Sequence, residues 1–162
     1  MATLKSITFN LLIHDSIEKL STQERNLMDA AVKARNKAYA PYSEFNVGAA
    51  VLLENGEVLL GNNQENASYP SGLCAERVAI FYAGANFPEV KVKAIAITAA
   101  SLLHQVSTPA APCGNCRQAI AEYEYKQNSP IKLFLMGETG SVIECESLAD
   151  LLPLGFNSSF LK

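Results

Sequence analysis

The chain has 162 residues, a length typical of one domain, and 49% of them are hydrophobic, which is enough for a substantial buried core. The formal net charge of −3 argues against a polynucleotide-binding surface, because such surfaces are basic. No apolar run reaches the ~20 residues that a membrane span requires, and the N-terminus lacks the basic and then apolar layout of a secretory signal. We therefore expect a single cytoplasmic domain over residues 1–162 that acts on a small uncharged molecule.

Helical and extended patterns alternate along the chain, separated by turn residues. Residues 1–20 form an N-terminal extension of unknown role, in which the loose alternation over 4–13 predicts a strand. This strand is either an added edge strand or an arm against a neighbouring subunit. Ser21 and Glu24 form a capping-box pattern that begins a helix, and Pro41 closes it. The later elements are predicted as strands 47–53 and 58–60 joined by an Asn-Gly turn, helix 75–85, strand 92–99, helix 112–126, strands 131–136 and 141–144, and a short helix 147–152. This order predicts a mixed sheet with helices on both faces.

Three cysteines have the pattern of a metal site. Cys113 and Cys116 have C-x-x-C spacing, which places two thiols on one face of a helical turn. In a reducing compartment this spacing is more often metal-binding or redox-active than disulfide-forming. Cys74 supplies a third thiolate, and three protein ligands leave the fourth tetrahedral position open, as in a catalytic zinc site. The alternative is a closed structural site, with a fourth ligand from Cys145, His14 or His104.

Glu76 turns the metal hypothesis into an enzyme hypothesis. It lies two residues after Cys74, at the predicted start of a helix. Zinc lowers the pKa of bound water from 15.7 to roughly 7. A carboxylate beside that water can accept its proton and deliver it to a leaving nitrogen. The alternative is an ordinary first-turn acid favoured by the helix dipole.

The frame Cys74-Ala75-Glu76…Pro112-Cys113-Gly114-Asn115-Cys116 resembles the zinc signature of nucleobase deaminases, with cysteine in the place of histidine. Three further segments, 40–50, 63–69 and 151–156, are similar to segments of the small zinc-dependent cytidine deaminases that act on free nucleosides. The similarity covers roughly residues 24–157 in the order of that family.

The resemblance implies a three-layer α/β/α fold with a central mixed five-stranded sheet, to which the N-terminal strand is an addition. It also implies one Zn²⁺ per chain on the three cysteines, Glu76 as the acid/base, and hydrolytic deamination of cytidine and 2′-deoxycytidine in pyrimidine salvage. The family assembles as a homotetramer with composite active sites. The substrate-binding positions implied are Phe45 against the pyrimidine, Asn63 and Glu65 on the ribose, the backbone of Ala67 at the base, and Phe156 from another subunit. The alternatives are a core aromatic at Phe45, a polar loop that satisfies its own backbone at Asn63 and Glu65, and Phe160 in the place of Phe156.

Arg77 has a separate predicted role. Three thiolates on Zn²⁺ carry a net charge of −1, which weakens activation of water, and a neighbouring guanidinium withdraws charge from the sulfurs. The alternative is a surface ion pair.

Two other functions remain open at this point. A deaminase of a cytosine-containing antibiotic nucleoside would use the same chemistry. A non-catalytic zinc-folded interaction module would keep the cysteines but would need neither Glu76 nor the polar pair Asn63 and Glu65.

Overall fold

A six-stranded mixed sheet forms the centre of the protein in a computed structural model that describes residues 1–161. The strands lie in the order β1-β6-β5-β4-β2-β3, and every neighbouring pair is antiparallel except β4 with β5. Their bounds are β1 Leu12–His14, β2 Phe45–Leu53, β3 Val58–Asn62, β4 Val92–Ser101, β5 Lys132–Met136 and β6 Val142–Cys145. The predicted mixed sheet is confirmed, and it has six strands because the N-terminal strand joins it at the β6 edge.

Three α-helices cover the two faces of the sheet: α1 Thr22–Arg35, α2 Ala75–Asn86 and α3 Gly114–Gln127. Side chains alternate between the faces with the period of two that strands impose. Ala50, Ala96 and Phe134 share a core cluster with the α1 residues Leu27, Met28 and Ala31. The next position along each strand faces α2 and α3, and Ala49, Ile97 and Leu135 belong to the second cluster with Ala79, Ile80 and Ile120. These two cores confirm the three-layer α/β/α fold.

Strand direction brings the starts of α2 and α3 together. β3 and β4 both pair antiparallel with β2, so they run in the same direction and end at the same edge of the sheet. α2 follows β3 and α3 follows β4 in the chain. Both helices therefore begin beyond the carboxyl ends of parallel-running strands, where open α/β sheets bind their ligands.

Glycine lets α2 lie directly on β3. A Cβ at Gly61 would come within 2.4 Å of the carbonyl oxygen of Ala75 and 2.6 Å of the backbone nitrogen of Ala79. Backbone atoms of the helix cannot give way to such a contact without moving the helix. Because residue 61 has no side chain, the N-terminal turn of α2 can lie in direct contact with the backbone of β3.

The N-terminal strand is shorter than predicted. β1 pairs with β6 over only three residues, Leu12–His14, whereas residues 4–11 have no secondary structure. The prediction of a strand over 4–11 is therefore wrong. β6 has only four residues, so the backbone of residues 4–11 has no strand to pair with, and the side chains of Ile7 and Phe9 are exposed.

Other boundaries shift by small amounts. α3 begins at Gly114 rather than Pro112, because Cys113 has extended backbone angles (φ −66°, ψ 167°) and acts as the N-cap. The predicted helix over 147–152 is a single 3-10 turn, Leu148–Asp150, and further 3-10 turns span Ile17–Lys19, Tyr69–Ser71 and Ser158–Leu161. None of the helices formed within residues 1–161 combines the length and apolar character needed to cross a membrane.

Candidate active site

Three cysteine side chains converge where α2 and α3 begin. Cys74 is the N-cap of α2, Cys113 is the N-cap of α3, and Cys116 lies in the first turn of α3. The Cys113 Sγ lies 4.0 Å from that of Cys74 and 3.5 Å from that of Cys116, and all three sulfurs lie within 4.8 Å of one another. Zinc–sulfur bonds of ~2.3 Å in a tetrahedron separate two sulfurs by roughly 3.8 Å. The three thiols therefore fit a tetrahedral zinc.

The pKa values of Cys74 and Cys116 are shifted in opposite directions. Hydrogen bonding with Cys116, opposed by burial and reinforced by Arg77 and Cys113, lowers the pKa of Cys74 to about 5. The same contact with Cys74 and burial raise the pKa of Cys116. The cluster thus favours the thiolate at Cys74 over that at Cys116. A divalent cation would stabilise the thiolate form of all three.

The side chain of Glu76 is buried beside this cluster. It is only 4% exposed, and its Oε2 has no hydrogen-bond partner among residues 1–161. Burial, together with the nearby charge of Cys74, raises the pKa of the Glu76 carboxyl. An unpaired buried carboxyl oxygen costs free energy, and such groups concentrate at sites where protons are transferred.

Arg77 follows Glu76 in the first turn of α2. Its Nη2 is 3.9 Å from the Sγ of Cys74, and its Nε is buried without a partner in the described chain. The guanidinium therefore contacts a thiolate ligand rather than a surface carboxylate. This contact is the one that the predicted withdrawal of charge from the sulfurs requires.

A pocket of about 430 Å³ opens next to the cysteines. Four of the predicted site residues line it: Asn63, Glu65, Cys74 and Arg77. The other residues that line it are Tyr42, Ser43, Gln64, Asn66, Tyr69, Gly72 and Leu73. The pocket thus joins the metal cluster to the polar loop that follows β3.

The two polar residues predicted to bind a sugar are both held in place by hydrogen bonds to other parts of the chain. Asn63 accepts from the backbone nitrogen of Val47 through Oδ1 (2.8 Å) and donates to the carbonyl oxygen of Phe45 through Nδ2 (2.9 Å). One hydrogen and one lone pair of the amide remain for a ligand. Asn63 therefore also clamps the loop to the start of β2, a role that sequence reasoning missed.

Glu65 is held by the turn before β2. Its carboxylate accepts from the Ser43 hydroxyl, from the backbone nitrogen of Tyr42 (2.9 Å) and from that of Ser43 (3.3 Å). The Ser43 hydroxyl contributes most to lowering the pKa of Glu65, so this carboxylate is a firm acceptor at neutral pH. Tyr42 and Ser43 were not predicted as site residues, although both stand in the segment 40–50 that carried the family resemblance.

The remaining predicted substrate residues do not line this pocket within the single chain. Phe45 is half-buried at the first position of β2, and Ala67 is exposed in the loop. Phe156 is 55% exposed and stacks on Phe160, with ring centroids 5.4 Å apart and planes 13° apart.

The structure gives no support to a closed four-ligand site. Among residues 1–161, Cys74, Cys113 and Cys116 are the one group of three or more potential ligands that converges as a metal site requires. Cys145 is buried in β6, His14 is hydrogen-bonded to Glu144 (2.7 Å), and His104 is exposed in a loop.

Sequence and structure comparisons agree with this geometry. The family model described as "Cytidine and deoxycytidylate deaminase zinc-binding region" matches residues 21–129. A cytidine deaminase from Halalkalibacterium halodurans is 39% identical over 132 residues, which cover 82% of this chain and 92% of that protein. One from Sporosarcina psychrophila is 38% identical over 146 residues, covering 90% of this chain and 95% of the relative.

A solved structure supports the same relationship. The crystal structure of cytidine deaminase from Burkholderia pseudomallei superimposes with a TM-score of 0.70 at 41% identity, covering 81% of this chain and 97% of that one. The matched zinc-binding region contains all three converging cysteines and Glu76. The chain belongs to the cytidine and deoxycytidylate deaminase family, a family of hydrolases.

Proposed function

We propose that this protein catalyses the hydrolytic deamination of cytidine and 2′-deoxycytidine to uridine and 2′-deoxyuridine, with release of ammonia. The observation that carries the proposal is the buried, unpaired carboxyl of Glu76 beside three convergent thiols, one of which, that of Cys74, lines a pocket. Relatives named cytidine deaminase, which match most of the chain, support the choice of substrate. A role in pyrimidine salvage in the cytoplasm follows from that substrate.

One zinc ion per chain is held by Cys74, Cys113 and Cys116. When bound, it supplies a Lewis acid that makes a water molecule nucleophilic at neutral pH. Arg77 offsets the negative charge of the thiolates through its contact with the Cys74 sulfur. The helix N-termini at Cys74 and Cys113 do the same through their unpaired N–H groups.

Glu76 moves the protons of the reaction. It accepts a proton from the attacking water as the oxygen bonds to C4 of the pyrimidine, and it passes that proton to N3. It then carries the second proton of the water to the exocyclic nitrogen, which leaves as ammonia. The raised pKa of Glu76 suits this exchange, because the carboxyl must both gain and lose a proton near neutral pH.

The polar loop recognises the sugar. Glu65 offers an ionised carboxylate to a ribose hydroxyl, and Asn63 offers the amide hydrogen and lone pair that its clamp on β2 leaves free. Phe45 packs against the pyrimidine, and the backbone of Ala67 contacts the base edge.

The active sites are composite and the protein is a homotetramer. Large apolar side chains remain exposed on α2, α3 and the tail, including Phe81, Tyr82, Tyr125, Phe156 and Phe160. Exposed large apolar side chains on these elements favour association with another subunit. Phe156 reaches a neighbouring site across such an interface. Sedimentation is expected to give about four times the chain mass of 17.5 kDa, and a fully active monomer would contradict this assembly.

Ammonia release from a panel of substrates tests the proposed function. The zinc-loaded protein should release ammonia from cytidine and 2′-deoxycytidine but not from single-stranded DNA. Faster release from a cytosine-containing antibiotic nucleoside than from cytidine would identify that nucleoside, rather than cytidine, as the preferred substrate. No release from any of these compounds would favour a non-catalytic zinc-folded module, although such a module gives no reason for the buried carboxyl of Glu76.

A further inference from the structure

Arg117 links the cysteine cluster to a distant part of the chain. Its Nε donates to the carbonyl oxygen of Pro112, and its Nη1 donates to the carbonyl oxygen of Leu151, each at 2.8 Å. Pro112 directly precedes Cys113, whereas Leu151 belongs to the C-terminal tail, which we define as residues 148–161. One guanidinium thus holds both the loop that carries a thiol ligand and the beginning of the tail.

The tail is attached to α3 at further points. Gln118 donates through Nε2 to the carbonyl oxygen of Phe156 (2.9 Å), and Asn157 donates through Nδ2 to the hydroxyl of Tyr125 (2.6 Å). Phe156 stacks on Phe160 within the tail itself. The position of Phe156 is therefore set by contacts with the same helix that carries Cys113 at its N-cap and Cys116 in its first turn.

We propose that Arg117 is a positioning residue that couples the thiol cluster to the C-terminal tail, so that metal binding and the position of Phe156 depend on each other. The guanidinium is planar and rigid, so its two hydrogen bonds cannot be adjusted independently. A cation held by Cys113 restricts the position of the adjacent Pro112 carbonyl. Because Arg117 is hydrogen-bonded to that carbonyl and to the carbonyl of Leu151, the position of Leu151 is restricted as well. Coupling between two sites is reciprocal. The factor by which tail docking changes metal affinity therefore equals the factor by which bound metal changes tail docking. The inference rests on the proposed function only in taking the cysteines as zinc ligands.

Zinc affinity is the first test. Chelator competition on the full chain measures zinc binding without reference to turnover. Arg117→Met should weaken zinc binding by ~10–100-fold, the range typical for residues that orient metal ligands. Arg117→Lys can keep one of the two hydrogen bonds, so its zinc affinity should lie between those of Arg117→Met and the parent protein. Arg25→Met is the matched control, because Arg25 also donates to a backbone carbonyl, that of Glu18, but lies on α1 away from the cysteines. It should leave zinc affinity unchanged.

Cobalt provides a spectroscopic readout of ligand geometry. The thiolate-to-metal absorption of the Co²⁺-loaded protein should shift in Arg117→Met and stay unchanged in Arg25→Met. A folded Arg117→Met protein with the parental zinc affinity and cobalt spectrum would overturn the proposal. If Arg117→Met does not fold, Arg117→Lys decides the question by the same two measurements.

The coupling to the tail is tested by fluorescence. The chain contains no tryptophan, so Phe156→Trp introduces a single tryptophan, whose emission is followed with excitation that does not excite tyrosine. Adding zinc to the chelator-stripped Phe156→Trp protein should shift its emission, and Arg117→Met in the same background should abolish the shift. No shift in the parent background, or a shift that survives Arg117→Met, would overturn the coupling. None of the three readouts depends on substrate, so failure to deaminate cytidine would refute the proposed function while leaving this inference standing.

Discussion

The two ends of the pocket are built in different ways. At the metal end, the cysteines lie at the starts of two helices whose position is fixed by the strands beneath them. At the polar end, Asn63 and Glu65 lie in a loop that is held to the start of β2 by hydrogen bonds from side chains. The chemistry is thus placed on regular elements, whereas recognition depends on a loop held by side-chain and backbone hydrogen bonds. Substitutions at the two ends should differ accordingly in size and in kind.

The largest effect is expected at the metal end. Cys113→Ala removes one of three thiol ligands, so zinc and activity should be lost together. Cys145→Ala is the matched control, because Cys145 is a buried cysteine outside the cluster. Zinc content and ammonia release are measured on both proteins. Full zinc occupancy in Cys113→Ala would show that the cysteines do not form the metal site.

Glu76→Gln should abolish proton transfer without disturbing the metal. The amide has nearly the same shape but cannot exchange protons, and general acid–base catalysis contributes ~10²–10⁴-fold. We expect kcat to fall by this factor while zinc content stays at one ion per chain. Glu122→Gln, an exposed carboxylate on α3, serves as the control and should retain parental activity. Near-parental turnover in Glu76→Gln would assign the proton transfer to another group.

Glu65→Gln probes the polar end. The hydrogen bond from a sugar hydroxyl to a charged acceptor contributes about 1.5–3 kcal/mol, so kcat/KM for cytidine should fall by ~10–100-fold. The rate on free cytosine should be low in the parent and unchanged in the variant, because cytosine has no sugar to bind. Equal losses on cytosine and cytidine would mean that Glu65 supports the fold rather than the sugar.

The smallest effect should come from removing the Ser43 hydroxyl, which donates a hydrogen bond to the Glu65 carboxylate. Ser43→Ala removes the hydroxyl that holds Glu65 but leaves the two backbone donors in place. A loss of ~0.5–1.5 kcal/mol corresponds to roughly 3–10-fold in kcat/KM for cytidine. Ser43→Thr keeps a hydroxyl and should recover most of the loss. A decrease as large as that of Glu65→Gln would show that Ser43 itself touches the substrate.

The sequence predicted the metal end better than the polar end. The spacing of Cys113 and Cys116 is a local signal that a helical turn converts directly into geometry. Cys74 was predicted as the third thiolate without a local spacing signal, and the shared direction of β3 and β4 explains why it meets the other two. At the polar end, the clamp of Asn63 on β2 depends on a contact between residues 16 and 18 positions apart, which no local pattern encodes.

Long-range partners explain the other differences as well. The alternation over 4–13 is a genuine strand pattern, but β6 offers pairing for only Leu12–His14. Arg117 follows Cys116 in the sequence, yet its contact with Leu151 depends on where the tail returns to α3. In both cases the tertiary partner, rather than the local pattern, decides the outcome.

The strand order has a practical consequence for immobilising the protein. β1 forms one edge of the sheet and β3 the other, with four strands between them, and residues 1–10 are exposed. An affinity tag or a linker to a sensor surface at the N-terminus therefore leaves the molecule at the edge remote from β3 and Cys74. The same tag at the C-terminus would extend from the stacked rings of Phe156 and Phe160, beside the helix that holds two of the thiols. Of the two ends, the N-terminus is the attachment point at the edge of the sheet opposite β3.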